Sequence, residues 1–132
     1  MFTMCCNRND ELIDASRCGN VIKVKKLLHC ADPSCSNNLP IRVAASCGYY
    51  EIVEMLMRDQ RVDPAAGENY ALRIAAAHGD AAVTRLLMND PRVDPSADEN
   101  FAIRIAILRR YCDVVSLLMG DWRVDYTVEN NF

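Results

Sequence analysis

The feature that most narrows what this chain can fold into is a period of 31 residues. Asp-Pro stands at Asp32-Pro33, Asp63-Pro64 and Asp94-Pro95, and Asp125 follows in phase. Asparagine keeps the same spacing at Asn38, Asn69, Asn100 and Asn131, and arginine at Arg42, Arg73 and Arg104. Arg-Val-Asp recurs at 61–63, 92–94 and 123–125. The segments VDPAAGENYALRIA (62–75) and VDPSADENFAIRIA (93–106) agree at ten of fourteen positions. Unrelated residue types held in one phase mark a stack of supersecondary units rather than an irregular globule.

One copy, residues 63–93, shows the plan. Asp63 to Asn69 is rich in turn formers. Tyr70 to His78 is Ala-rich, with Leu72, Ala75 and Ala76 at helical spacing. Gly79 stands where a helix end favours positive φ. Ala81 to Met88 predicts a second helix with Val83, Leu86 and Leu87 inward, ended by Asn89-Asp90-Pro91. The neighbouring copies predict helices near 39–47 and 50–58, split by Gly48, and near 101–109 and 112–119. A worn copy precedes them: Ala15-Ser16-Arg17-Cys18-Gly19-Asn20 aligns with Ala44-Ala45-Ser46-Cys47-Gly48-Tyr49 at an offset of 29. The expected organisation is one domain over 1–132. Its copies are a degenerate cap at about 7–31, then 32–62, 63–93 and 94–124, with an incomplete copy beginning at 125–132.

A helix pair of this size cannot bury its own apolar face, but stacked pairs bury a continuous core between neighbours. The paired alanines, Ala44-Ala45 and Ala75-Ala76, let adjacent backbones approach. With 15 basic and 18 acidic residues the net charge is −3, which argues against a nucleic-acid binder. No apolar run reaches the ~18 residues that span a bilayer, so no membrane association is expected. The N-terminus is too polar for a signal peptide. The expected setting is therefore soluble and cytoplasmic. The seven cysteines are odd in number and show no framework; they read as reduced thiols, mostly small packing residues.

The copies resemble the ankyrin repeat. Its T-P-L-H-x-A-A-x-x-G-H stretch stands here as Leu39-Pro40-Ile41-Arg42-Val43-Ala44-Ala45-Ser46-Cys47-Gly48-Tyr49, and its V-V-x-x-L-L as Ile52-Val53-Glu54-Met55-Leu56-Met57. The resemblance covers about Asp10 to Phe132 and looks most like the Asp-Pro-Ser-Ala variant of large DNA viruses and unicellular eukaryotes. It implies an all-α solenoid of stacked helix-turn-helix units with short loop or hairpin fingers. The chain departs from the pattern in several places. The family's Thr is Leu39, Tyr70 and Phe101, which removes its helix-start hydrogen bond, and its His is Arg42, Arg73 and Arg104. Arg110 replaces the inter-helix glycine.

By that resemblance the function is recognition of a partner protein, without catalysis or cofactor. The first helices and loop tips would line a concave binding face. Carried over by position, this face holds Ser46, Cys47, Ala77, His78, Leu108 and Arg109. The tips would add Ala66, Gly67, Glu68, Ala97, Asp98 and Glu99. The repeated residues read as frame. Asn38, Asn69 and Asn100 would cap helices or close turns, and the Asp-Pro pairs would fix loops. The arginine column would bridge loop carbonyls or Asp63 and Asp94; its other reading is a ladder for an anionic ligand. Two alternatives to the recognition module stand beside it. One is a truncated array or scaffold fragment with no partner site of its own. The other, more remote, is thiol or metal binding at the N-terminal cysteines, where Cys18, His29, Cys30 and Cys35 match no paired ligand spacing. An apolar face on the 94–124 copy, with Ile107-Leu108 where other copies have small residues, also suggests self-association.

Overall fold

The computed structural model describes residues 3–125, with side chains from residue 8 onward. The described residues form eight helices and no strand. They are α1 (Thr3–Cys18), α2 (Val21–Leu27), α3 (Cys35–Cys47), α4 (Tyr50–Met57), α5 (Ala66–Ala77), α6 (Ala81–Met88), α7 (Ala97–Leu108) and α8 (Cys112–Met119). Each copy thus contributes two helices, and the fold is all-α. Among the described residues no helix is long and apolar enough to cross a membrane. The expected start of a further copy at 126–132 lies outside the described residues.

The chain groups into two compact units, Met1–Pro64 and Ala65–Phe132. In the first, α1 packs on α3 and α2 on α4, and the two helices of each consecutive pair, α1–α2 and α3–α4, also pack on each other across a tight turn. Its core is built from Leu12, Val24, Leu27, Ile41, Ala44, Ile52, Val53 and Leu56, all buried. In the second, α5 packs on α7 and α6 on α8. There Ala76, Ala102, Ile103, Ala106, Val114, Leu118 and Val124 form one buried cluster. Ala75 and Ala76 have no exposed surface. A larger side chain at either would meet packed neighbours on every side.

The turns between paired helices explain the glycines. Gly48 ends α3 in the left-handed region at φ 77°, accepting no Cβ penalty there. Gly79, at φ 73°, has a second reason: a Cβ would come within 2.7 Å of the Tyr111 ring. Gly19 meets Tyr49 in the same way at 2.8 Å. The residue after this turn position has two uses. Asn20 and Asp80 cap the following helix, accepting from the Lys23 and Val83 amides at 3.1 Å. Tyr49 and Tyr111 make no such cap and lay their rings on the preceding copy's glycine instead. Arg110 holds φ 62° where the other copies have glycine.

The first helices hold a surprise in their opening turn. Ser36-Asn37-Asn38, Gly67-Glu68-Asn69 and Asp98-Glu99-Asn100 each place three successive residues in the left-handed region, with φ between 52° and 68°. The sequence predicts helices from about residues 39, 70 and 101, and the regular right-handed stretches do begin there. The turn before them is a left-handed one. Such a turn costs roughly 1–2 kcal/mol per non-glycine residue, so something outside it must hold it.

Candidate functional site

What holds those turns is the arginine column. Arg42 donates from Nε to the Asn37 carbonyl at 3.0 Å and from Nη2 to the Ser36 carbonyl at 2.9 Å. Arg73 does the same to Glu68 and Gly67 at 3.0 and 3.2 Å, and Arg104 to Glu99 and Asp98 at 2.9 and 3.2 Å. The planar fork of guanidinium suits two carbonyls in one turn, and lysine could not replace it. The Arg73 guanidinium also lies 5.8 Å from the Tyr70 ring centre and 5.5 Å from that of Phe101, a cation–π sandwich. Its charge faces Asp98 at 3.7 Å. Asp94 directs its carboxylate elsewhere: Oδ1 accepts from the Ser96 amide and hydroxyl at 2.9 and 2.6 Å.

The asparagine column joins one copy to the next. The Asn38 side-chain oxygen accepts from the Asp63 amide at 2.9 Å, Asn69 from Asp94 at 2.9 Å, and Asn100 from Asp125 at 3.0 Å. Asn9 makes the equivalent bond to Asp32 at 2.8 Å, which brings the worn first copy into the same scheme. None of these asparagines caps the helix that follows it, the first of the two roles the sequence suggested; Asn38, Asn69 and Asn100 sit in the left-handed turn and, like Asn9, reach the next copy. Asparagine tolerates that conformation better than most residues and supplies the acceptor as well. Asn38 and Asn69 are both buried.

A second arginine column went unassigned in the sequence. Arg61 grips Asp59 with a two-pronged pair, Nε to Oδ1 at 3.0 Å and Nη2 to Oδ2 at 2.7 Å. It also donates to the Ala31 and Leu28 carbonyls at 3.1 and 2.9 Å, thirty or more residues back. Arg123 grips Asp121 and donates to the Val93 carbonyl at 2.7 Å. Arg92 grips Asp90 likewise. The guanidinium hydrogen bonds hold Asp59, Asp90 and Asp121 below the usual carboxylate range, against the opposing effect of burial. A signal was present, since Asp-x-Arg-Val-Asp as a whole keeps the period at 59–63, 90–94 and 121–125.

Against this repeated frame stand the positions of the expected binding face, most of which differ between copies, although Ala66 and Ala97, and Glu68 and Glu99, are alike. Cys47, His78, Leu108 and Arg109 are exposed and Ser46 is half-buried. Ala77 is buried, so its side chain is closed to a partner, and this corrects its place in the expected binding face. Its carbonyl accepts a hydrogen bond from Arg109 instead. At the tips Gly67, Glu68, Asp98 and Glu99 are exposed, whereas Ala66 is buried and Ala97 half-buried. The second compact unit therefore brings Ala77 and Arg109 together, and Arg73 with Asp98. Ser46 and Cys47 belong to the first unit.

The cysteines correct a further expectation. Cys18, Cys30, Cys47 and Cys112 are exposed rather than packed, and Cys35 is half-buried. Burial and the nearby Asp32 carboxylate push the Cys35 thiol up. Arg8 donates to the Cys30 sulfur at 3.0 Å. Among the described residues no three His, Cys, Asp or Glu side chains gather in a metal-binding group. The side chains of Cys5 and Cys6 lie outside the described residues. No protein-family description matches the chain, and no curated protein matches it.

Proposed function

We propose that this chain is an ankyrin-type repeat array serving as a non-catalytic recognition module for a partner protein. One observation carries the reading. The arginine and asparagine side chains that keep the 31-residue phase are spent on internal bonds, while His78 and Leu108, which break it, are exposed. Arg73, Arg104, Asn69 and Asn100 bond to backbone within the chain. Leu108 and Arg109 stand in phase with Ala77 and His78, yet Leu108 is 77 % exposed. Arginine, here Arg109 beside the exposed Leu108, is enriched at protein interfaces. The acidic tips Glu68, Asp98 and Glu99 would favour a basic counterpart.

The test is affinity capture with the immobilised chain. It compares the unaltered protein with a variant carrying His78→Ala, Arg109→Ala and Glu99→Ala. A partner held by the first and lost by the second, with equal helicity by circular dichroism, supports the reading. Equal capture by both rules out these residues as the binding face.

A further inference from the structure

We propose that the groove between α6 and α8, together with Trp122 beside it, is a second interaction surface. Its occupant is a partner-protein segment that carries a carboxylate next to a large apolar side chain. The surface shares no residue with the face of His78, Leu108 and Arg109. Trp122, the single tryptophan of the chain, is 91 % exposed. Its phase counterparts Gln60 and Pro91 are exposed as well, and Pro91 stays so with α7–α8 stacked on its own copy. Stacking therefore leaves this position open. The loop that carries the ring is fixed in place. Asp121 and Arg123 form a two-pronged pair, and Arg123 donates to the Val93 carbonyl at 2.7 Å. The Val124 amide donates to the Asp121 carbonyl at 3.1 Å. Tryptophan is enriched among the residues that dominate binding energies, and a fixed loop lowers the cost of ordering it.

The groove differs in chemistry from its counterpart in the first unit. Gly120 and Asp121, which lead into Trp122, line a depression of about 360 Å³ with Arg85, Met88, Ser116 and Leu117. The α2–α4 depression is about as large, 380 Å³, but Lys25, Glu51, Glu54 and Arg58 line it, and Glu54 pairs with Arg58 at 3.6 Å. Ser116 and Gly120 stand in phase with those two partners. Two small residues thus replace an ion pair, and the half-buried Met88 and Leu117 supply an apolar wall. Gly120 is not demanded by its backbone, whose φ is −75°. Nor is it demanded by crowding, since a Cβ there would lie 3.5 Å from its nearest neighbour. What the glycine leaves is room in the depression. Asp121 already faces Arg123, so the charge presented to an incoming group is that of the exposed Arg85. A carboxylate answers that charge, and an apolar side chain answers Met88, Leu117 and the Trp122 ring.

A phage-displayed library of random peptides, panned on the immobilised chain, supplies the probe. Retained sequences should place Asp or Glu beside Leu or Phe. Their synthetic peptides should shift the tryptophan emission to the blue, and with one tryptophan in the chain that signal belongs to Trp122 alone. Trp122→Gln and Gly120→Asn put back residues that other copies carry at these positions, so neither threatens the fold. By calorimetry, Trp122→Gln should weaken peptide binding by about 30-fold or more, as loss of a central anchor does. Gly120→Asn should act in the same direction, and Arg85→Glu should remove the preference for acidic sequences. Failure to enrich any sequence, retained sequences without a carboxylate, or undiminished affinity in Trp122→Gln would each overturn the proposal. None of these outcomes depends on whether a partner protein is captured through His78, Arg109 and Glu99.

Discussion

A single residue shows how closely backbone conformation and side-chain choice are matched. Arg110 sits at φ 62°, a value that Gly19, Gly48 and Gly79 meet without steric cost. Arg110→Gly should therefore raise stability by about 1 kcal/mol in urea unfolding. Asn69 sets the opposite case, because its left-handed backbone and its acceptor oxygen are both in use. Asn69→Gly keeps the first and removes only the second, leaving the part-buried Asp94 amide unpaired. That substitution should cost about 1–3 kcal/mol, and Asn69→Ala should cost more because it also strains the turn. Equal losses for the two would mean that the conformation contributes nothing.

At the scale of elements, stability comes from the seam between successive helix pairs. Ala75 and Leu87 both have no exposed surface. Ala75→Leu should overpack the seam and cost roughly 1–3 kcal/mol. Leu87→Ala should open a cavity and cost about 2–5 kcal/mol. Chemical denaturation of both variants checks the pair, and a silent Ala75→Leu would refute the close approach of first helices. Much of this level was legible beforehand: the Ala-Ala seam, the inter-helix glycine and the amphipathic second helices all follow from local period. The left-handed opening turns were not, because Ser36, Glu68 and Asp98 have no strong preference for that conformation. They adopt it because an arginine five or six residues on holds their carbonyls.

Across the whole molecule the aspartate–arginine pairs set a response to acid. The guanidinium hydrogen bonds hold the Asp59, Asp90 and Asp121 carboxyls below the ordinary carboxylate range when the chain is folded. A depressed carboxylate contributes stability that is present above its unfolded pKa and lost as pH falls through the folded one. Stability should thus hold steady from neutrality to about pH 4 and fall below that. Replacing all three with Asn should flatten the acid limb of a thermal-melt series. A limb unchanged by the triple substitution would place the acid response in other groups.

Apart from Glu68 and Glu99, which keep the period, the candidate binding positions were legible only as residues that break it; sequence spacing could not separate His78, which is exposed, from Ala77 beside it, which is buried. One helix step turns a side chain by about 100°, and only the packed neighbour decides which side is closed. What the sequence determined by itself was the unit, its two helices and the small-residue seam, because these depend on residues within a turn or two of one another. What tertiary structure alone decided was the use of the polar columns. Asn38 finds its donor 25 residues on, and Arg61 finds a carbonyl 30 residues back. Such bonds exist only once one copy has stacked on the next, so no local pattern of residues could announce them.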